Sequence, residues 1–301
     1  MVIGKSKIFN LGKKIVSGVA ALSLASIITF SAKNSSSYET GTMQDQSIHP
    51  KLVEELSENY PVPNGRNLDV QAVQSGSIKE DSQYDRYARA GNHFQQWQTG
   101  DGLSCPFDYC NAIKPHGTPE FIALGNWIKD SSAQSTYPYG DHSWARVVED
   151  YRNGSIGEHF GFAFHLISDL TVPAHVRNDV HAAFWDLDDY EVWTHENRNI
   201  IMSDVQPRNI PNFSSLDELV SSAANFTGSN FYSDDSRDGT VQGLIPMFEG
   251  EGSYWGKNIE GTPRKILRTA LLVNFADDVS LRDQWDVLGT KAVEYGIAAL
   301  K

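Results

Sequence analysis

The sequence predicts an all-α fold, a bundle of several helices joined by long irregular loops. Apolar residues recur at helical spacing in several segments, at 50–56, 68–80, 119–129, 143–151 and 156–170. Helix 50–56 is expected to begin at Ile48-His49-Pro50, and Ser214 and Ser215 before Asp217 and Glu218 form a capping pattern for another helix. Sustained strand alternation and internal repeats are absent. Residues 226–261 predict a long surface loop, and residues 262–301 predict a final helical region broken near 277–280.

The first 32 residues differ in composition from the rest and predict a signal peptide. Four lysines precede the apolar run Ile15–Phe30, and no acidic residue occurs before Glu39. Because the run is shorter than the roughly 20 residues of a membrane span, secretion to an extracellular or periplasmic space is expected, with a retained anchor as the alternative. Residues 33–47 predict a flexible leader, and residues 48–301 predict one domain.

The charge of the chain argues against some partners. Loss of residues 1–32, which carry four lysines and no acid, changes the net charge from −13 to −17. A surface this acidic repels nucleic-acid phosphates, so no stable nucleic-acid binding is expected. The two cysteines, Cys105 and Cys110, predict a small disulfide loop in an oxidising compartment, with metal ligation as the weaker alternative.

Histidines and acids concentrate in one part of the chain, as a metal site requires. Five of the nine histidines lie between His159 and His195. His165 and Asp169, four residues apart, share one face of an apolar helix. An ionised aspartate there needs a cation or several hydrogen-bond donors. The pair alone is equally consistent with a metal site and with a buried hydrogen bond that serves packing.

The residues that follow favour the metal site. Pro173 ends the helix, and His175 follows just past that end, where it can face the same cavity from another angle. His181 and Glu191 come next, with Glu191 at the start of a further helix. The Glu158-His159 pair forms no His-Glu-x-x-His motif, so a thermolysin-like protease has no support.

The segment His165-Leu-Ile-Ser-Asp169-Leu-Thr-Val-Pro173-Ala-His175 resembles the signature of the zinc-dependent phospholipase C and single-strand-specific nuclease superfamily. That signature is a histidine, an aspartate at +4 and Pro-x-His ending at +10, which this segment matches without a gap. The resemblance implies an all-helical, phospholipase C/nuclease-like bundle with a cleft that holds two or three zinc ions. It further implies hydrolysis of phosphodiester bonds, so that residues 48–301 form a zinc-dependent hydrolase domain.

The resemblance also implies a set of ligands. His93, His165 and Asp169 would hold one zinc, with Asp169 bridging to a second ion at His49, and His175, His181 and Glu191 would hold a third. Asp81 resembles the acidic ligand or general base of the family, with Glu80 as its rival. The chain departs from the family in having no tryptophan before Trp97 and in having Leu187 four residues before Glu191, so His195 is the alternative to His181.

From a site of grouped zinc ions we expect in-line attack of a metal-bound hydroxide on phosphorus, with Asp81 assisting proton removal or holding metal. The favoured substrate is a phospholipid headgroup or another phosphodiester, reached by transient contact with a membrane surface. A single-strand-specific nuclease-like enzyme is the first alternative and would need an aromatic platform, from Trp97, Tyr109, Trp185, Trp193 and Tyr232. A non-catalytic metal-binding relative is the second alternative.

Overall fold

A computed structural model describes residues 48–60, 66–80, 90–103, 121–137, 140–177, 188–231 and 233, and, towards the end of the chain, residues 247–248, 253–257, 263–270, 273–275 and 278–301. The described residues are mostly helical, which confirms the predicted class. The α-helices are α1 Ile48–Asn59, α2 Val70–Glu80, α3 Leu124–Trp127, α4 Ser131–Gln134, α5 Trp144–Arg152, α6 Glu158–Asp169, α7 Pro173–Val176, α8 Asp189–Ile201, α9 Leu216–Asn230 and α10 Asp278–Ala299. Two short 3₁₀ helices, Ala90–His93 and Met202–Asp204, complete the helical part.

Helix α6 is the centre of the core, as its apolar composition predicts. Every one of its residues from Phe160 to Asp169 is buried, and helices α2, α5 and α10 pack against it. Helix α1 contributes Leu52, Val53 and Leu56 to the same core and packs against α2 and α10. A short parallel pair, β1 Asn67–Leu68 with β2 Ser155–Ile156, joins the segments that lead into α2 and α6.

Two glycines allow α2 and α6 to approach each other at backbone distance. A Cβ atom on Gly76 would lie 2.1 Å from the carbonyl oxygen of Glu158, and one on Gly161 would lie 2.1 Å from that of Val73. Both contacts involve backbone atoms, which cannot rotate away as a side chain could. The contact fixes α2 against the first turn of α6, and one turn further along it brings the Ser77 carbonyl to His165.

The end of α6 differs in detail from the prediction. The helix stops at Asp169, a turn follows, and Pro173 occupies the first position of a separate short helix, α7. A proline tolerates that position because its missing N–H would have no partner inside the helix. His175 therefore lies on α7, a second element that points back towards the end of α6.

The capping pattern predicted before α9 is confirmed, and α8 also begins with a side-chain cap. The side chain of Asp188 accepts a hydrogen bond from the amide of Glu191, which fixes the first turn of α8. The Ser215 hydroxyl accepts from the amide of Glu218, while the Glu218 carboxylate accepts from the amide of Ser214. This reciprocal pair is a capping box shifted by one residue, and it begins α9.

The predictions for residues 226–261 and 262–301 were wrong in part. Helix α9 continues to Asn230, and a four-stranded antiparallel sheet follows, in the order β3 Met247–Phe248, β4 Ser253–Lys257, β5 Pro263–Ala270 and β6 Val273–Phe275. Among the described residues of the last region, only those of α10, from Asp278, are helical. Pairing with β4 and β6 supplies hydrogen bonds to β5 that a local helical pattern cannot reveal.

Within the described residues, the structure contains no helix long and apolar enough to cross a membrane. The apolar run Ile15–Phe30, the leader 33–47 and both cysteines lie outside the described residues. The predictions of a signal peptide, secretion and a disulfide therefore stay predictions.

Replacing Gly161 by alanine should destabilise the protein, because its methyl group would overlap the Val73 carbonyl. We expect a loss of about 1–3 kcal/mol of unfolding free energy, the usual cost of overpacking, and a melting temperature lower by several degrees. Circular dichroism during heating in the presence of a chelator measures this without a contribution from metal. Ser221→Ala, on an exposed part of α9, is the control and should leave the melting temperature nearly unchanged. An equal melting temperature for G161A and the wild type would contradict the proposed backbone contact.

Candidate metal centre

Six of the eight predicted ligands lie within the described residues, and the fold brings all six into one buried cluster. They come from five separate elements: His49 from α1, His93 from the first 3₁₀ helix, His165 and Asp169 from α6, His175 from α7 and Glu191 from α8. The other two, Asp81 and His181, lie outside the described residues. Residues far apart in the chain therefore meet, as the metal-site hypothesis requires.

Asp169 is the centre of the cluster and is 1% exposed. Its Oδ1 lies 3.7 Å from Nε2 of His49. Its Oδ2 lies 2.9 Å from Nδ1 of His93, 3.4 Å from Nε2 of His165 and 3.7 Å from Nδ1 of His175. The two oxygens of one carboxylate thus face different groups of imidazoles.

Two further carboxylates extend the cluster, one at His175 and one at His93. Oε1 of Glu191 lies 3.5 Å from Nε2 of His175. Oε1 of Glu80 lies 3.5 Å from Nε2 of His93, and the indole N–H of Trp127 points at the same oxygen over 3.5 Å. Glu80 is fully buried at the last position of α2. In the sequence prediction Glu80 was only the rival of Asp81, and Asp81 itself lies outside the described residues, so its predicted role stays a prediction.

Backbone chemistry fixes the tautomer of His165. Its Nδ1 lies 2.7 Å from the carbonyl oxygen of Ser77, which can only accept, so Nδ1 carries a proton and donates. In neutral His165 the lone pair is therefore on Nε2, facing Oδ2 of Asp169. Two lone pairs that face each other need a proton or a metal cation between them. The same arrangement, with the distal nitrogen held by a backbone carbonyl, is typical of metal-bound imidazoles.

The distances distinguish a metal site from a set of hydrogen bonds. Hydrogen bonds to nitrogen donors cover about 2.7–3.2 Å, whereas two ligands of a tetrahedral zinc ion are about 3.3 Å apart because each bond is about 2.0–2.1 Å. Most separations in the cluster, from 3.4 to 3.7 Å, fit the second case. The donor atoms of His49, His165 and Asp169 all lie within 4.8 Å of one another. The resemblance had grouped His93, rather than His49, with His165.

The electrostatics of the metal-free cluster depend on burial and on neighbouring charges. Burial lowers the pKa of His93, but its hydrogen bond to Asp169 and the adjacent carboxylate of Glu80 outweigh burial and raise that pKa from 6.5 to about 9. Burial also raises the pKa of Asp169, but His165, His175 and His93 together hold it well below its usual value. Without metal, Asp169 is therefore ionised and His93 is positively charged at neutral pH.

The other described histidines are His142, His159 and His195. The His142 ring stacks on Phe162 at a centroid distance of 3.5 Å, and Nδ1 of His159 lies 2.8 Å from Oδ2 of Asp150. Both contacts are consistent with structural roles for these two histidines. His195, the alternative ligand, is partly buried on α8, and burial followed by the charge of Arg198 lowers its pKa.

Comparison of the chain with protein-family models, with curated proteins and with solved structures finds no match. The likeness to the phospholipase C and nuclease superfamily thus depends on the motif around His165 and on the cluster described above.

The raised pKa of His93 predicts a pH dependence for the metal-free protein. The pKa of His93 is about 9 in the folded protein and 6.5 in the unfolded chain. Protonation of His93 therefore stabilises the fold fully below pH 6.5, and this contribution is lost as the pH rises through 9. The lowered pKa of Asp169 acts in the opposite sense, since its contribution is present above pH 3.8 and is lost as the pH falls. We expect the melting temperature, measured with a chelator, to decrease between pH 6.5 and 9.

The variant His93→Gln should flatten this decrease, and His159→Gln, on the other end of α6, is the control for removing an imidazole. If the wild type and H93Q show the same dependence between pH 6.5 and 9, His93 is not the group that holds the proton.

Proposed function

We propose that the protein is a zinc-dependent hydrolase of phosphodiesters that binds at least two ions around Asp169. The observation that carries the proposal is the buried Asp169 carboxylate, with Oδ1 towards His49 and Oδ2 towards His93, His165 and His175. A carboxylate with imidazoles around both of its oxygens is suited to bridging two cations. The described residues are mostly helical, as the proposal expects.

The charge of the cluster supports cation binding. Glu80 and Asp169 are almost fully buried, and the side chain of Glu191 is 15% exposed, so three carboxylates lie in or near the core. Ionised carboxylates in such a place are costly unless cations offset them. Two divalent ions offset the charge of all three and leave the imidazoles neutral. Imidazole together with carboxylate and without thiolate is a ligand set that zinc accepts.

The described residues divide into ligands for two ions. His49, His165 and Asp169 would hold one, because their donor atoms are already within 4.8 Å of one another. His175 would hold another with the second oxygen of Asp169 through Nδ1, while Nε2 of the same ring faces Glu191 over 3.5 Å. His93 and Glu80, also 3.5 Å apart, would be the remaining ligands among the described residues. Ions in these places would lower the pKa of a bound water and offset the charge of a phosphoryl oxygen.

The chain's own residues would orient the metal ligands and exclude water from part of the site. The ring of Phe94 stacks on His175 at a centroid distance of 4.7 Å, and the amide of Gln95 donates to the His175 carbonyl, which together fix that imidazole. Burial is most complete at Glu80, His165 and Asp169 and least at Glu191. The substrate is therefore expected to approach from the side of Glu191, with water excluded from the side of Glu80.

The choice of substrate follows from the aromatic residues and the charge. A nuclease needs exposed aromatic rings on which bases stack. Of the candidates, Trp193 belongs to the core and Trp97 packs against Gly228 and is partly buried. The other three lie outside the described residues. With the acidic charge of the chain, this favours a phospholipase C-like reaction over a nuclease-like one.

Metal analysis of the purified protein tests the first part of the proposal. We expect two or more zinc ions per chain after loading, and Asp169→Asn should lower that number and abolish hydrolysis, because the amide cannot bridge two cations. His159→Gln, which removes a histidine of the same helix bonded to Asp150, should keep the full complement. A wild type that takes up no zinc, or a D169N variant that keeps every ion and full turnover, would refute the site.

Comparison of substrates tests the second part. Phosphatidylcholine vesicles should yield phosphorylated headgroup, single-stranded DNA should be cleaved far more slowly, and D169N should hydrolyse neither. Faster cleavage of DNA would instead support the nuclease-like alternative. Bound zinc without turnover of either substrate, or of a small phosphodiester such as bis(p-nitrophenyl) phosphate, would support the non-catalytic alternative.

A further inference from the structure

Ser168 lies between two of the cluster's histidines, although it is not itself a metal ligand. It is buried on α6 next to Asp169. Its Oγ lies 2.7 Å from the carbonyl oxygen of His165, one helical turn back, and 2.8 Å from Nδ1 of His49 on α1. The hydroxyl therefore joins the helix that carries Asp169 to the helix that carries His49.

The single proton of this hydroxyl decides which nitrogen of His49 carries hydrogen. A carbonyl oxygen only accepts, so two oxygens 2.7 Å apart require the Ser168 proton between them. Having donated its proton to His165, Oγ can only accept at its contact with His49. Nδ1 of His49 must therefore be the N–H, which leaves the lone pair of neutral His49 on Nε2.

That lone pair points at the place where a cation is expected. Nε2 of His49 lies 3.7 Å from Oδ1 of Asp169, longer than a hydrogen bond and close to the separation of two ligands on one zinc ion. The His49 ring also lies against the His165 ring, with centroids 3.9 Å apart, which restricts its rotation. The other tautomer, with hydrogen on Nε2, would donate to Asp169 and place a proton where the ion belongs.

We propose that Ser168 is a positioning residue that fixes the His49 tautomer with its Nε2 lone pair towards Asp169 and so prepares that side of the cluster for a divalent cation. The inference rests on the proposed metal centre, but the tautomer itself is a property of the metal-free protein. It assigns to a side-chain hydroxyl at His49 the role that the Ser77 backbone carbonyl has at His165.

The tautomer is tested on the chelator-treated protein by long-range ¹H–¹⁵N correlation spectra, at a pH where His49 is neutral, with His49→Gln to assign its signals. The wild type should show the pattern of a protonated Nδ1. Ser168→Ala should convert it to protonated Nε2, since alanine offers no acceptor and Asp169 then takes the hydrogen bond. Ser168→Thr, which keeps the hydroxyl, should restore the original pattern.

Thr171→Val is the matched control. Thr171 is buried, and its hydroxyl donates to the carbonyl three residues back over 2.7 Å, as that of Ser168 does, but its recorded bond reaches no imidazole. It should leave the His49 signals unchanged, which separates the loss of an imidazole acceptor from the loss of a backbone bond. A protonated Nε2 in the wild type, or an unchanged pattern in S168A, would overturn the inference.

Zinc titration provides the second readout. Removing a hydrogen-bond partner of a metal-binding imidazole typically lowers affinity about 10–100-fold. We expect S168A to show that loss for one ion only and T171V to bind as the wild type does. Equal affinities in the wild type and S168A would overturn the role of Ser168 while leaving the metal centre intact. A wild type that binds no zinc would instead refute the proposed function, and the spectra would still decide the tautomer.

Discussion

The buried charge of Asp169 is the constraint on which the surrounding structure depends. At 1% exposure an ionised carboxylate needs nearby positive charge, and four imidazoles from α1, the 3₁₀ helix, α6 and α7 supply donors or ligands to it. Each of these elements must then pack near the end of α6, so the packing of the bundle determines which residues the site contains. Helix α6 is apolar elsewhere, which concentrates the requirement at this single turn.

The framework around that turn is held by contacts remote from the cluster. The glycines at 76 and 161 let the backbones of α2 and α6 touch, and this places the Ser77 carbonyl 2.7 Å from His165. The same approach brings Glu80, one turn after Gly76, to the cluster in a fully buried position. A side chain at either glycine would separate the helices and so would remove both a hydrogen-bond acceptor and a carboxylate from the site.

The sequence predicted the parts of this site that depend on the spacing of nearby residues. The interval of four between His165 and Asp169, and the proline before His175, fix directions within one or two turns, and the structure places all three side chains together. It could not decide that Glu80 is buried beside His93, because that depends on which face of α2 meets α6. Nor could it foresee strand β5, since the pairing of 263–270 with 253–257 depends on contacts outside the segment.

The role proposed for Ser168 illustrates that the types of ligand residue and their spacing in the sequence are not enough to define a metal site. A histidine is a ligand only through the nitrogen that lacks a proton, so each imidazole needs an acceptor on its other side. At His165 a backbone carbonyl provides that acceptor and is insensitive to side-chain identity, whereas at His49 a hydroxyl provides it only because its own proton is already committed to a helical carbonyl. The cation proposed between His49 and Asp169 would thus depend on one side-chain oxygen, while the His165 tautomer is set by the main chain. The proposed position at His49 is therefore one that a single conservative substitution would weaken without removing a ligand.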